Sequence, residues 1–121
     1  MKRILVVEDN ETNMYLLRRI LRHGGYEVLE ARSGEEGIEV AIKEKPDLII
    51  MDIQLPGIDG LEATKRIRES KKEGEIPIVA FTSHAMAGDR EKFLAVGITG
   101  YIEKPINPDT FLANIEEYLL R

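Results

Sequence analysis

Residues 48–60 read LIIMDIQLPGIDG. Leu48, Ile49, Ile50 and Met51 lead into Asp52, and Ile53 follows at once. A run that is apolar at successive positions is apolar on both faces of a strand, which is the pattern of a central strand in a parallel sheet. Asp52 breaks that pattern, because an unpaired carboxylate next to a core is costly. It marks a strand end that carries chemistry, and its companions belong at the ends of other strands. Gly57 and Gly60 then read as turn residues, where a positive φ is often needed.

Working outward, strand-like runs alternate with helix-like ones. Arg3–Val7 (RILVV) is short, aliphatic and β-branched. Glu11–His23 places Met14, Leu17 and Leu21 at helical spacing, with Leu16 and Ile20 widening the stripe, and Gly24-Gly25 ends it. Residues 26–31 (YEVLEA) alternate like a strand with one wet face. Ser33 to Glu36 reads as a capping box, followed by Ile38, Ala41 and Ile42 facing inward until Pro46 stops the helix. The third strand is 47–51. A helix over 60–71 carries Leu61, Thr64, Ile67 and Arg68 on one side, and 73–77 is a loop. Residues 78–81 form the fourth strand. The helix over 85–96 has a thin apolar face of Met86, Phe93 and Leu94. Residues 99–103 form the fifth strand. Asn107 caps the last helix, with Pro108 at its first position and Phe111, Leu112, Ile115 and Leu119 packing inward.

Strands alternating with helices imply an α/β fold, a five-stranded parallel sheet with helices on both faces. In such sheets ligands bind outside the carboxyl ends of the strands, where the strand order reverses. The first strand ends in Glu8-Asp9, the third in Asp52, the fourth in Thr82-Ser83 and the fifth in Lys104-Pro105, while the second ends in Ala31-Arg32. Placing the second strand at an edge beside the first lets the other four ends share one crevice. That is the flavodoxin-like order 2-1-3-4-5.

The chemistry of those ends is specific. Three neighbouring carboxylates repel, so some protonate or bind a cation. An all-oxygen site with few protein carboxylates suits Mg²⁺. Calcium is disfavoured by the lack of a twelve-residue acidic loop. Zinc is disfavoured because the chain has no Cys and because His23 and His84 stand far apart in sequence. A carboxylate is also a nucleophile in aspartyl-phosphate chemistry, and Asp52 stands alone at the middle strand. Lys104 offers a point charge to a phosphate oxygen, and Thr82 offers a hydroxyl. Taken singly, each residue has a plainer use: Glu8-Asp9 as a cap for the helix beginning near Glu11, Thr82 as a capping hydroxyl, Lys104 as a solvated amine.

The totals narrow the class. A length of 121 residues allows one core, and 43% apolar with 32% charged residues is the balance of a soluble globular domain. A net charge of −5 argues against a nucleic-acid-binding face. Lys71-Lys72 reads as part of a solvated loop. No apolar run approaches a membrane span, and the first residues do not form a signal peptide. The absence of Cys removes disulfides and thiol chemistry and fits a cytoplasmic location.

VVEDN at the first strand, DLIIMDIQLPGIDG at the third, AFTSHAM at the fourth and YIEKPI at the fifth resemble the receiver domain of two-component response regulators. The resemblance covers nearly the whole chain. It implies a receiver domain over residues 1–121 with no output domain. Asp52 would accept a phosphoryl group from a phosphohistidine of a sensor histidine kinase or phosphotransfer protein. Asp9, Asp52 and the backbone carbonyl of Gln54 would hold Mg²⁺, with Glu8 acting through water. Lys104 would hold a phosphoryl oxygen, its bond to Pro105 being cis. Thr82 and Tyr101 would act as the switch, Tyr101 turning inward. The output would be a changed surface on the fourth helix, fifth strand and fifth helix read by a downstream protein, with no direct nucleic acid or membrane, as a monomer or phosphorylation-promoted dimer. Such a chain catalyses only its own phosphorylation and dephosphorylation and is not an enzyme towards other substrates. The DIQLP wording is similar to single-domain cell-cycle regulators and to receivers of hybrid histidine kinases, so excision from a longer chain is the alternative.

Three other readings are weaker. A haloacid-dehalogenase-type phosphatase needs a second Asp two positions after the nucleophile, where this chain has Gln54, which cannot act as general acid. Flavin binding needs amides and hydroxyls after the first strand, where EDNETN would repel a phosphate. A degenerate receiver would have lost some of the acids, Thr82 or Lys104, and all are present.

Overall fold

A computed structural model describes residues 1–70, 76–83 and 87–120. Lys71, Lys72, His84, Met86 and most of the loop 73–77 lie outside the described residues. The chain runs β1 (Arg3–Val7), α1 (Glu11–His23), β2 (Glu27–Ala31), α2 (Gly34–Glu44), β3 (Leu48–Asp52), α3 (Gly60–Glu69), β4 (Ile78–Thr82), α4 (Ala87–Val96), β5 (Gly100–Glu103) and α5 (Pro108–Leu119). The sheet is parallel throughout and ordered β2-β1-β3-β4-β5, as the strand ends required. β3 extends one residue further than its apolar run, so Asp52 is itself part of the ladder, opposite Phe81 of β4.

The helices begin where short polar side chains satisfy the free amides of the first turn. Asn10, not the acid pair before it, caps α1, its side chain accepting from the Asn13 N–H at 2.9 Å. That leaves Glu8 and Asp9 uncommitted to the helix. Ser33 Oγ accepts from the Glu36 N–H at 3.1 Å. The Glu36 carboxylate reaches back to the Arg32 N–H, one residue before the cap. Asp59 caps α3, and Asn107 with Pro108 opens α5.

Each strand alternates between two cores. Leu5, Val7, Ile49, Met51, Ile78 and Ala80 pack with Ala41, Ala63, Ile67 and Phe93 of α2, α3 and α4. Ile4, Val6, Leu48, Ile50, Val79, Phe81 and Ile102 pack with Met14, Leu17, Leu21, Phe111 and Ile115 of α1 and α5. Two apolar positions expected inside lie outside: Leu16 is 46% and Ile42 39% exposed. On α2 the buried stripe is Gly34, Gly37 and Ala41 instead. A Cβ on Gly37 would stand 2.8 Å from Val7, so this helix lies too close to the sheet for a broader face. Of the apolar face expected for α4, Phe93 is buried and Leu94 exposed, while Met86 lies outside the described residues. The far end of α4 is held by Arg68, which donates to the Gly97 carbonyl at 3.0 and 2.8 Å.

The two-core alternation positions the site. Glu8, Asp52 and Lys104 each fall two residues beyond a member of the α1/α5-side core, namely Val6, Ile50 and Ile102. Side chains on a strand repeat every second residue, so one face of the sheet delivers all three charges to its carboxyl edge. Thr82 falls two residues beyond Ala80 and belongs to the opposite face, against which Tyr101 also packs.

The loop from β3 into α3 folds tightly over this edge. Gly57 has the positive φ a turn glycine is expected to have, at 77°. Gly60 is needed for a different reason: a Cβ there would lie 2.2 Å from the Asp52 carbonyl oxygen. Gly60→Ala is expected to cost about 2 kcal/mol, the scale of overpacking a fixed backbone contact. A lowered urea midpoint with unchanged slope is the check; an unchanged midpoint would mean that the loop yields freely.

Candidate functional site

Asp52 and Glu8 are almost wholly buried, at 2% and 1% exposure. β1 and β3 are adjacent, so their ends bring the two carboxylates together. Asp9, next along, is exposed. Carboxylate oxygens of Glu8, Asp9 and Asp52 all lie within 4.8 Å of one another. From β5, Lys104 reaches back across β4. Its Nζ donates to Asp52 Oδ1 at 3.1 Å and stands 3.7 Å from Glu8 Oε1. The backbone N–H of Gln54 also donates to Asp52 Oδ1 at 3.1 Å, and that of Asn10 to Glu8 Oε2 at 3.1 Å. The Lys104–Pro105 peptide bond is cis, as the resemblance implied.

One ammonium does not neutralise three carboxylates. Glu8 responds. Burial raises its pKa from 4.5 to about 7, helped by the neighbouring Asp52 carboxylate and its charge, against the opposing Asn10 amide and Lys104. Its Oε1 is buried without a hydrogen-bond partner. An orphaned carboxylate oxygen among oxygen donors is what a hard divalent cation completes, so the residues present fit a small ion such as Mg²⁺.

Thr82 is 4% exposed, and its carbonyl accepts from the Lys104 N–H at 2.8 Å, which ties these two strand ends together. It lines a cleft with Gln54, Leu61, Lys92 and Phe93. Tyr101 stands apart from the acids. Its ring packs against the α3/α4-side core, and its hydroxyl accepts from Arg90 Nη2 at 2.6 Å on the surface.

Three participants escaped sequence reading. Arg90 pairs with Tyr101 across a helix-strand gap that no local pattern reveals. Asn10 both caps α1 and fixes Glu8, and its spacing to Asn13 was the available signal. Phe81 lies beneath Lys104, with Nζ 5.0 Å from the ring centroid.

Known proteins resemble this chain in sequence and fold. Residues 4–116 match the family model described as the response regulator receiver domain. The polar-differentiation response regulator DivK of Brucella ovis is 44% identical over 118 residues, covering 98% of this chain and 96% of that protein. Chemotaxis protein CheY4 of Vibrio cholerae superposes with a TM-score of 0.93 at 31% identity over 98% of both chains. The receiver domain of a sensor histidine kinase of Pseudomonas aeruginosa, solved with a magnesium ion in its active-site cleft, gives 0.91 at 33% identity over 99% of this chain and 98% of that one. This chain belongs to the response regulator receiver domains and serves in two-component phosphorelay signalling.

Proposed function

We propose that Asp52 is the phosphoacceptor and that its donor is a phosphohistidine on a sensor histidine kinase or a phosphotransfer protein. The observation that carries this is the ion pair of Asp52 with Lys104 at 3.1 Å inside the acid cluster. A carboxylate oxygen of Asp52 forms the new P–O bond. The P–N bond of the donor breaks, its electron pair staying on the imidazole. Asp9, Asp52 and the backbone carbonyl of Gln54 would hold Mg²⁺, with Glu8 acting through water; when bound, the ion would supply positive charge against that of the phosphoryl oxygens. Lys104 exchanges part of its contact with Asp52 for a phosphoryl oxygen.

The added charge then biases a two-state equilibrium. Thr82 donates its hydroxyl to the phosphoryl group. Tyr101, from the same side of the sheet, leaves Arg90 and turns inward. Among the described residues of α4 Phe93 alone is buried, which offers little resistance to such a shift. The altered α4-β5-α5 surface is read by a downstream protein. In this reading the chain acts in the cytoplasm and is not an enzyme towards other molecules.

Incubation with acetyl phosphate and Mg²⁺ is the direct test. Intact-mass spectrometry should show one phosphoryl group added, and borohydride reduction should locate it at Asp52. An unchanged mass, or repeated turnover of ordinary phosphomonoesters, would overturn the reading.

A further inference from the structure

Lys104 is held by more than its carboxylates. Its Nζ lies 5.0 Å from the centre of the Phe81 ring, which is 1% exposed. Phe81 sits on β4 between the two strands that matter: it pairs with Asp52 of β3 on one side and with Ile102 of β5, two residues before Lys104, on the other. Its ring belongs to the α1/α5-side core, the same face that delivers Glu8, Asp52 and Lys104. An aromatic face carries partial negative charge and attracts an ammonium, most strongly where water is excluded. It also differs from a carboxylate in one useful respect. It cannot take the Lys104 proton, and it does not compete for a cation that needs oxygen donors.

From this geometry we infer that Phe81 is a positioning residue for Lys104, its ring face fixing the ammonium over the acceptor oxygen of Asp52. Lys carries a flexible four-carbon stem, and holding it in one place costs rotamer entropy. The carboxylates alone hold Nζ towards the acid cluster, where an arriving cation weakens their grip. The ring keeps its attraction through that change. The ammonium therefore stays beside Asp52 when a phosphoryl oxygen arrives, instead of swinging into solvent through its 21% exposed side. This rests on the phosphoacceptor role proposed above.

Two readouts separate the ring's electrostatics from its bulk. The Lys104 ε-methylene should resonate upfield of the other lysines through the ring current, and Phe81→Leu should move it to the ordinary position. Phenylalanine analogues bearing one, two and three ring fluorines, incorporated at Phe81, keep the shape while draining charge from the face. Phosphorylation by acetyl phosphate at fixed Mg²⁺ should fall stepwise along that series, about threefold to thirtyfold in total, the range open to a partly desolvated cation–π contact. Mg²⁺ affinity, read by an optical titration, should stay constant across the series because the acids are untouched. Equal rates across the series, or an unmoved Lys104 resonance in Phe81→Leu, would overturn the inference. If the unaltered protein takes up no phosphoryl group, the acceptor reading falls, and the resonance alone then decides whether the ring holds Lys104.

Discussion

Asp52→Asn is expected to take up no phosphoryl group from acetyl phosphate and Mg²⁺, a loss of at least about a thousandfold, on the scale of removing a catalytic nucleophile. The substitution preserves shape and leaves an amide, which is not nucleophilic at its oxygen under these conditions. It removes more than the nucleophile, and the secondary effects are predictable. Asp52 raises the Glu8 pKa through its neighbouring carboxylate and its charge. In the variant, Glu8 should titrate lower. Among the described residues, Lys104 keeps Glu8, 3.7 Å away, as a charged partner. Mg²⁺ should bind more weakly, since one of the three clustered carboxylates is gone. The check is intact-mass spectrometry on both proteins, with circular dichroism to establish that the variant folds. Equal labelling of a folded Asp52→Asn protein would move the acceptor to another carboxylate and undo the assignment of Lys104 with it.

Much of this site is legible in the sequence, for a definable physical reason. The side-chain period of a strand is two, so an apolar run ending in Asp52, and others ending in Glu8-Asp9, Thr82 and Lys104, fixes which residues reach one sheet edge. The strand order follows from asking which strand contributes nothing. What periodicity does not encode is how far neighbours extend. Leu16 and Ile42 occupy plausible inward positions, yet α1 and α2 are each covered over a narrow stripe, and both residues face out. Gly60 looks like one more turn glycine, whereas its role comes from the close approach of the Asp52 carbonyl. Phe81 reads as ordinary core because its meeting with Lys104 depends on a long side chain crossing back over β4. Contacts between residues distant in sequence, set by rotamer and reach, are where local pattern stops informing.

Those same contacts make the pH response of the protein predictable. In chelator-treated buffer, stability is expected to fall as pH rises from about 5 to about 8. The folded-state pKa of Glu8 is raised from 4.5 to about 7, so the folded protein binds a proton there that the unfolded chain has released. The stabilising contribution is complete below pH 4.5 and lost as pH rises through about 7. Across that window the loss amounts to about 3 kcal/mol, since each tenfold change in proton affinity is worth about 1.4 kcal/mol. Glu8→Gln keeps the hydrogen-bonding shape without the ionisation, so it should be more stable than the unaltered protein above pH 7 by a similar amount. His23 is exposed and remains in both proteins, so the difference between them isolates Glu8. Urea denaturation at several pH values measures it. Adding Mg²⁺ at pH 8 should restore stability to the unaltered protein in proportion to ln(1 + [Mg²⁺]/Kd), and should do far less for Glu8→Gln. The stability lost to an ionised Glu8 is thus recovered through cation binding, so the cluster that strains the metal-free fold also drives it to take up the ion. A flat profile for both proteins would mean that Glu8 ionises as though in water, and that the acid cluster is more open than its burial requires.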